Sequence, residues 1–443
     1  MVNDLNLIPG PTPRFLLGNA LDFVGTSSHI KLYEYNREYG DIMRFWLFNQ
    51  ANILINDPTL IEQVLVSDRD LYYKNAPRKA AKPVMGDSLF LSNDKDWEFK
   101  RNNHPFSVAQ LDKYFEQILP IIRETTKNYL EQLQPSTTPK PVEFFSELVK
   151  LSFQIFGLTI LGSVTNSGYF DAFSMMMEEM DKRGGQQFLP YPLSLNPKFW
   201  LQRQQWNNFI EDRIHQSQKN FKEKGVDLLS SIVQDTALST AQLRDELSTT
   251  FTAGTRNVAE AVAAVLFLCS KDSEAMQKLK SEITLFLAEH NNEIYQEDIS
   301  LLRYLDLVVK EALRLYPAVP LFIREVLPGK VAILRNYKIP EKTQIFISSW
   351  ALHHNPKYWE NPDAFMPERF AGSPSPFHYF PFGAGPRQCI GMAFTIFCTK
   401  VMLMTILSQY SLELEPDTSF DTKYFSGTIM PRQGFKIQLK KNQ

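Results

Sequence analysis

The feature that most restricts this chain is a glycine-rich loop, Phe382-Gly-Ala-Gly-Pro-Arg-Gln-Cys-Ile-Gly391, which delivers one cysteine to the mouth of an apolar helix expected over Gly391 to Leu407. A thiolate held there is a metal ligand first and a nucleophile second. Cys389 has no Cys or His partner at zinc-site spacing, so a four-ligand zinc centre is poorly supported, whereas one strong axial ligand suits haem. The other loop residues suit that role. Gly385 and Gly391 permit close backbone approach, N–H groups near the helix start stabilise a thiolate, and Arg387 can reach an acidic group such as a haem propionate. The spacing is also compatible with a structural cysteine buried in a turn.

A chain of 443 residues would ordinarily hold about three domains, but no low-complexity linker or charge block divides it, and a single domain over 1–443 is expected. With 44% hydrophobic residues and 33 Phe it can enclose a large apolar cofactor. A net charge of −2 argues against a nucleic-acid partner. Three cysteines point to a reducing, cytoplasmic compartment without a disulfide framework. Cys269 and Cys398 read as small buried hydrophobes. Met1 to Ile8 is too short for a signal peptide or a spanning helix. The expectation is a soluble, monomeric protein with no stable membrane insertion, or one from which an anchor preceding Pro9-Gly-Pro-Thr-Pro13 has been removed.

Periodicity places a helix over His29 to Tyr39, a hairpin over Ile42 to Phe48 and Ala51 to Ile55, and a helix from Pro58 to Ser67. Tyr72 to Ser92 is a Pro- and Gly-marked basic stretch. Lys74, Arg78, Lys79 and Lys82 suit it to an anionic substrate, though a solvated basic loop is the plainer reading. Helical spacing dominates Leu111 to Leu161, broken at Pro135 to Pro141, and resumes over Phe199 to Lys222 after a Pro-rich connection from Gly184 to Pro197. A helix of about 29 residues, roughly 43 Å long, is expected over Thr240 to Leu268. Others follow over Asp272 to Glu289 and up to Pro317, where Glu311 and Arg314 share a face. Ala318 to Glu325 and Tyr337 to Ile347 read as strands, and Tyr424 to Leu439 as a last hairpin.

Phe382, Gly385, Arg387, Cys389 and Gly391 match every defined place of the F-x-x-G-x-R-x-C-x-G signature, and the chain resembles the cytochromes P450. The resemblance covers Pro9 to Phe435 and looks closer to the fatty-acid-hydroxylase type, in a soluble bacterial member, than to the camphor-hydroxylase type. It implies the P450 fold, mainly α with a small β region, and haem b held by Cys389, with Phe382, Gly383, Arg387 and Gly391 in the cradle. Trp97 and Arg101 match W-x-x-x-R, whose side chains hold a propionate, and Arg324 stands where the family places another propionate ligand. His353 is in reach of the propionates too, but it and His354 read first as satisfied structural histidines. Glu311, Arg314 and Arg369 match the E-x-x-R and P-E-R-F elements that brace the cysteine loop. Ala318, Val319, Leu321 and Phe322 would line the pocket, with the lid residues Phe188, Leu189 and Tyr191 and the hairpin tip Phe425 to Thr428 near the substrate. Electrons would come from a separate ferredoxin or flavodoxin and its reductase, drawn to a basic face of Lys95, Lys100, Arg387 and Lys400.

The long helix departs from the family. Its middle, Thr252-Ala-Gly-Thr-Arg-Asn-Val258, resembles A-G-x-(Asp or Glu)-Thr, but Arg256 replaces the acid and Asn257 the threonine. Ala253 and Gly254 match, leaving room for a bound diatomic, and Thr255 falls between. Arg is not an acid in proteins and Asn is no useful proton donor. Either ordered water or a substrate group delivers protons, or hydrogen peroxide is the oxidant. Fatty-acid peroxygenases of the family carry Arg at this place to hold the substrate carboxylate; the plain alternative is that Arg256 pairs with Glu260 one turn on. The first expectation is a monooxygenase inserting one atom of O₂ into a small apolar substrate, with anionic and lipid-like compounds such as fatty acids among the candidates, and the second a peroxide-driven hydroxylase of a carboxylic acid held by Arg256. A haem sensor or carrier without turnover is third.

Overall fold

The computed structural model describes residues 3–74, 78–108, 111–133, 141–163, 167–185, 196–219, 227–233, 236–292, 294–416, 418–425, 427–431 and 434–442. Helix α1 (Ser28–Tyr39) closes at Gly40, whose φ of 93° lets the chain leave the helix while its N–H still bonds Asn36. The hairpin β1 (Ile42–Leu47) and β2 (Gln50–Ile55) pairs in register from Ile42↔Ile55 to Leu47↔Gln50. With β3 (Tyr72–Tyr73), β4 (Leu321–Val326) and β5 (Gln344–Ser348) it builds a sheet in the order β1-β2-β5-β4-β3. The remaining sheets are small.

Three strand expectations need correction. The stretch Tyr337 to Ile347 is two strands: Tyr337–Ile339 pairs with Ala332–Leu334, and β5 starts only at Gln344. Pro340 has no N–H to give a ladder and Lys342 adopts a φ of 63°, so the chain turns between them. Likewise β4 starts after Pro320 rather than at Ala318. In the last hairpin Thr422–Phe425 pairs with Thr428–Pro431, while Lys436–Lys441 joins Tyr410–Leu414 and Val142–Glu143 in another sheet.

Most of the chain is helical: α2 (Arg78–Met85), α3 (Asp94–Asn103), α4 (Leu111–Leu133), α5 (Phe144–Leu161), α6 (Ser167–Gly185), α7 (Pro197–Lys219), α8 (Thr240–Lys271), α9 (Ser273–Glu289), α10 (Arg303–Leu315) and α11 (Met392–Gln409). Helix α2 lies within the basic stretch read as loop. Phe188, Leu189 and Tyr191 lie outside the described residues. Helix α8 opens on a reciprocal capping box between Ser239 and Gln242, and its second half, Val258 to Cys269, is buried on every side. Such a helix is the axis of a core, and α5, α9, α10 and α11 pack around it. Helices α5 and α11 are long and apolar enough to cross a membrane, yet two-thirds of each is buried inside the protein as core.

A buried polar contact ties the segment before α3 to this axis. Glu246 of α8 accepts a 2.7 Å hydrogen bond from the Leu89 amide, and its other oxygen stands 3.6 Å from His104 Nε2. Burial pushes the Glu246 carboxyl up to about 8 and His104 down to about 3, so at neutral pH the contact is largely between uncharged groups. A carboxyl raised in the folded state stabilises fully below its unfolded value, near 4.5, and this is lost as pH rises through 8. Glu246→Gln retains an acceptor for Leu89 but cannot ionise. Thermal melts of both proteins from pH 5 to 8.5 should show the wild type losing stability relative to the variant, by up to about 1.4 kcal/mol per pH unit. Parallel curves would mean that Glu246 is already ionised in the fold.

Candidate active site

The cysteine loop is shaped by its own backbone. Cys389 N–H donates to Phe382 O at 2.9 Å, Gly383 N–H to Phe380 O at 3.0 Å, and Gln388 N–H to Gly385 O at 3.0 Å. Gly385 sits at φ 70°, and a Cβ there would collide with the Leu65 carbonyl, so glycine is required. Gly391 is different: its φ is ordinary, and a Cβ would lie 3.9 Å from Cys389 Sγ, a normal contact. The function of Gly391 visible here is its N–H, which stabilises the Cys389 thiolate. Cys269 and Cys398 are buried, as expected.

Cys389 is exposed, yet burial pushes its thiol up, opposed by the Gly391 N–H and by the charges of Arg101 and Lys74. A side chain that is both accessible and deep faces an internal cavity. Four cations gather there. Arg101 donates to Gln388 O at 2.9 Å, beside the cysteine. Arg387 stacks 4.6 Å from the Trp97 ring and donates to Ser92 O at 2.9 Å and Asn93 Oδ1 at 3.1 Å. Burial lowers Arg324 to about 10, helped by its neighbour Arg387, and lowers Lys74 further, with Arg324 and Arg387 again adding repulsion. Among the described residues no carboxylate lies within ion-pair distance of any of the four. Clustered cations without counter-charge are costly unless an anion joins them.

Lys74 was read first as part of a solvated basic loop and second as a contact for an anionic substrate, but Asn93, which exchanges hydrogen bonds with the Lys74 backbone and also binds Arg387, places it with the other three. Its ammonium lies 3.2 Å from the centre of the Phe90 ring. The available sequence signal was Asn93 between the two segments. Of the other basic residues named there, the side chains of Arg78 and Lys79 are outside the description, and Lys82 pairs with Asp87 at 2.8 Å on the surface.

The proposed basic docking face is largely overturned. Lys100 is buried, spending its ammonium on Asp87 O, Ser92 Oγ and Asp96 at 2.6–2.8 Å. Lys400 is buried on Asp306 at 2.7 Å. Lys95 is exposed. A further correction concerns the pocket wall. Leu321 is buried in a core cluster with Leu32, Met43 and Phe346, and Phe322 lies against Gly383 and Phe380, shaping the loop.

Behind the loop, Glu311 accepts from Arg314 Nε at 2.7 Å and Nη2 at 2.8 Å, and from Arg369 Nε at 3.0 Å. Arg314 is fully buried and gives its remaining N–H groups to the carbonyls of His353, Pro362 and Ala364. His353 Nδ1 meets Arg314 O at 3.2 Å, and its Nε2 accepts from Phe380 N–H at 3.2 Å, at the root of the cysteine loop. His353 is therefore structural.

Helix α8 holds the motif in which the acid and alcohol are replaced. Ala253, exposed in mid-helix, and Asn257, one turn on, lie on one stripe. Gly254 does not open space for a small ligand: a Cβ there would collide with the Phe156 ring, which packs 5.1 Å from Phe394 of α11 and so ties the two helices together. Thr255 is fully buried on the opposite side and does not reach the cavity. Arg256 is lowered by burial to about 10, opposed by Glu260 and by Asp181 and Glu178 of α6, and it stays a cation. The pairing expected between Arg256 and Glu260 is not a hydrogen bond, since neither Glu260 oxygen has such a partner among the described residues.

The family model described as Cytochrome P450 matches residues 8–439. The chain is 27% identical to "Cytochrome P450 4d2" of Drosophila melanogaster, covering 92% of this chain and 88% of the relative. It is 25% identical to "Protein LUTEIN DEFICIENT 5, chloroplastic" of Arabidopsis thaliana (93% and 74%), and 24% identical to "Amorpha-4,11-diene 12-monooxygenase" of Artemisia annua (94% and 88%).

Removing one member of the buried triad leaves charge unpaired. Glu311→Ala should lower stability by about 3–5 kcal/mol, read as the shift of the urea midpoint multiplied by the slope. A loss below about 1 kcal/mol would show that Arg314 and Arg369 are satisfied by carbonyls alone.

Proposed function

The chain belongs to the cytochrome P450 family, a family of haem-thiolate monooxygenases, and from that premise we propose that it oxygenates a small apolar substrate using electrons from separate redox proteins. The observation that carries this is the cavity in which one accessible cysteine is ringed by Lys74, Arg101, Arg324 and Arg387, none of which has a carboxylate within ion-pair distance among the described residues, Asp94 acting on Arg387 only from further away. Haem b, the family's cofactor, would take Cys389 as its thiolate ligand and would offer two carboxylates to those cations, so the donor set fits it. Bound there, haem supplies dioxygen activation, with electron density from the thiolate favouring O–O cleavage.

The residues have distinct tasks. Cys389 supplies the thiolate, steadied by the Gly391 N–H and by Arg101 and Lys74. Arg324, Arg387 and Lys74 would hold the carboxylates, and Trp97 keeps the Arg387 plane in place through stacking. On the far side Ala253 leaves room beside the helix, and Asn257 offers an amide to water or substrate. An apolar substrate accords with the relative described as a monooxygenase of amorpha-4,11-diene, and fatty acids or similar lipids are the first compounds to test. A ferredoxin or flavodoxin is the proposed donor, although the exposed basic surface that would attract it is smaller than the sequence suggested.

A peroxide-driven hydroxylase in which Arg256 holds a substrate carboxylate is the second reading. What favours it is a half-buried arginine next to the cavity stripe. What weighs against it is that Glu260, Asp181 and Glu178 already act on that charge.

Three outcomes are expected. Lys74→Ala should weaken haem binding by the refolded apoprotein about tenfold, measured by Soret titration, whereas a role in meeting substrate would leave haem affinity alone. A ferredoxin and reductase pair should support product from medium- and long-chain acids or terpenes at rates at least tenfold above hydrogen peroxide alone. Arg256→Ala should change fatty-acid affinity, read from the Soret shift, less than about threefold. Peroxide turnover that matches the reductase rate and collapses in Arg256→Ala would establish the second reading instead.

A further inference from the structure

Helix α8 carries an acid, Glu260, one turn beyond Arg256. Glu260 lies three residues after Asn257 and seven after Ala253, so the three fall on one stripe of the helix that starts at the exposed Ala253 and becomes fully buried at Glu260. Glu260 is fully buried, and neither of its carboxyl oxygens has a hydrogen-bond partner among the described residues. The Asn257 Oδ1 beside it on the stripe is also buried and unpartnered. Buried polar atoms are nearly always satisfied by protein or by ordered water, and three such acceptors in line describe a place for water.

We propose that Glu260 is the distal proton donor of this enzyme, acting through water held by Asn257, and that it replaces the acid missing at position 256. The inference rests on the monooxygenase reading above. In the step, the O–H bond of the Glu260 carboxyl breaks as its proton passes to the bound water. That water gives a proton on toward the cavity, and solvent later returns one to the carboxylate. No electrons move in this transfer.

Arg256 has a part in this scheme. Burial holds the Glu260 carboxyl well above the usual carboxylate range, so it carries its proton at neutral pH, while Arg256 on the same helix pulls the other way. A cation beside the acid lowers the cost of the carboxylate left after transfer. Asp181 and Glu178 of α6 also act on Arg256 and temper its pull. An acid one turn deeper, tuned by an arginine at the usual acid position, does the work of the missing pair. Glu260 touches no substrate and is a positioning and relay residue.

The test compares the haem-loaded wild type with Glu260→Gln and Glu260→Asp. The wild-type-minus-Glu260→Gln infrared difference spectrum at pH 7 should contain the carbonyl stretch of a protonated carboxyl that shifts in D₂O; its absence overturns the proposal. With a reductase pair, Glu260→Gln should give about 10²-fold less product per electron pair, the electrons emerging as hydrogen peroxide, and Glu260→Asp should recover part of the loss. Melting temperature should be unchanged or higher in Glu260→Gln, since a neutral amide replaces an unpartnered buried acid; a marked fall would make Glu260 structural and overturn the proposal. A wild type that forms product while Glu260→Gln remains fully coupled removes Glu260 alone. A wild type with no reductase-supported product removes the monooxygenase reading on which the proposal stands.

Discussion

The buried pair of Glu311 and Arg314 is the interaction from which the geometry of the site descends. Two charges out of water are tolerated only when every donor and acceptor is met, and here the Arg314 guanidinium is spent on Glu311 and on three carbonyls of the chain that follows β5. Those carbonyls belong to the segment that leads to the cysteine loop, so satisfying the arginine also fixes that segment. His353 carries the constraint to Phe380, and Phe380 to Gly383. A flexible glycine-rich loop thereby inherits the rigidity of a core helix, which a metal-binding thiolate needs.

The cavity has two electrostatic sides. Around Cys389 positive charge is in excess: burial acts against Lys74, Arg324 and Arg387, neighbouring cations add repulsion at Lys74 and Arg324, and Asp94 supports Arg387 in part. That arrangement is stable only with a bound anion and is therefore a statement about the ligand. On α8 the groups are an arginine that stays a cation, an amide, and a carboxyl held neutral by burial, with Asp181 and Glu178 of α6 acting on the arginine. The first side fixes a cofactor; the second manages protons. Phe156, wedged between Gly254 and Phe394, sets the spacing between the helices that carry them.

The parts legible in the sequence are those where a residue type answers a local demand. Gly385 must be glycine because a carbonyl occupies its Cβ position, Glu311 and Arg314 must be paired because both are fully buried, and the length of α8 follows from uninterrupted apolar periodicity. What could not be read depended on distant partners. Nothing near Lys400 in sequence announces Asp306, and nothing near Lys100 announces the carbonyl of Asp87, so both lysines looked like surface charge. Gly254 looked like room for a ligand because Phe156 is nearly a hundred positions away. Short strands failed at Pro320 and Pro340, where alternation continued across a residue that cannot join the ladder.

The departure at Arg256 and Asn257 gains its meaning from depth rather than from motif. An acid at the usual position would stand near the cavity and exchange its proton with water readily. Glu260, one turn further along and sealed among core residues, keeps its proton because the charged form is poorly solvated. Such a carboxyl is a better proton store and a slower donor, and only a nearby cation makes its release feasible. Read together, Arg256 and Glu260 are not two losses from a family pattern but a pair in which each explains the residue type of the other, with Asn257 holding the water between acid and cavity.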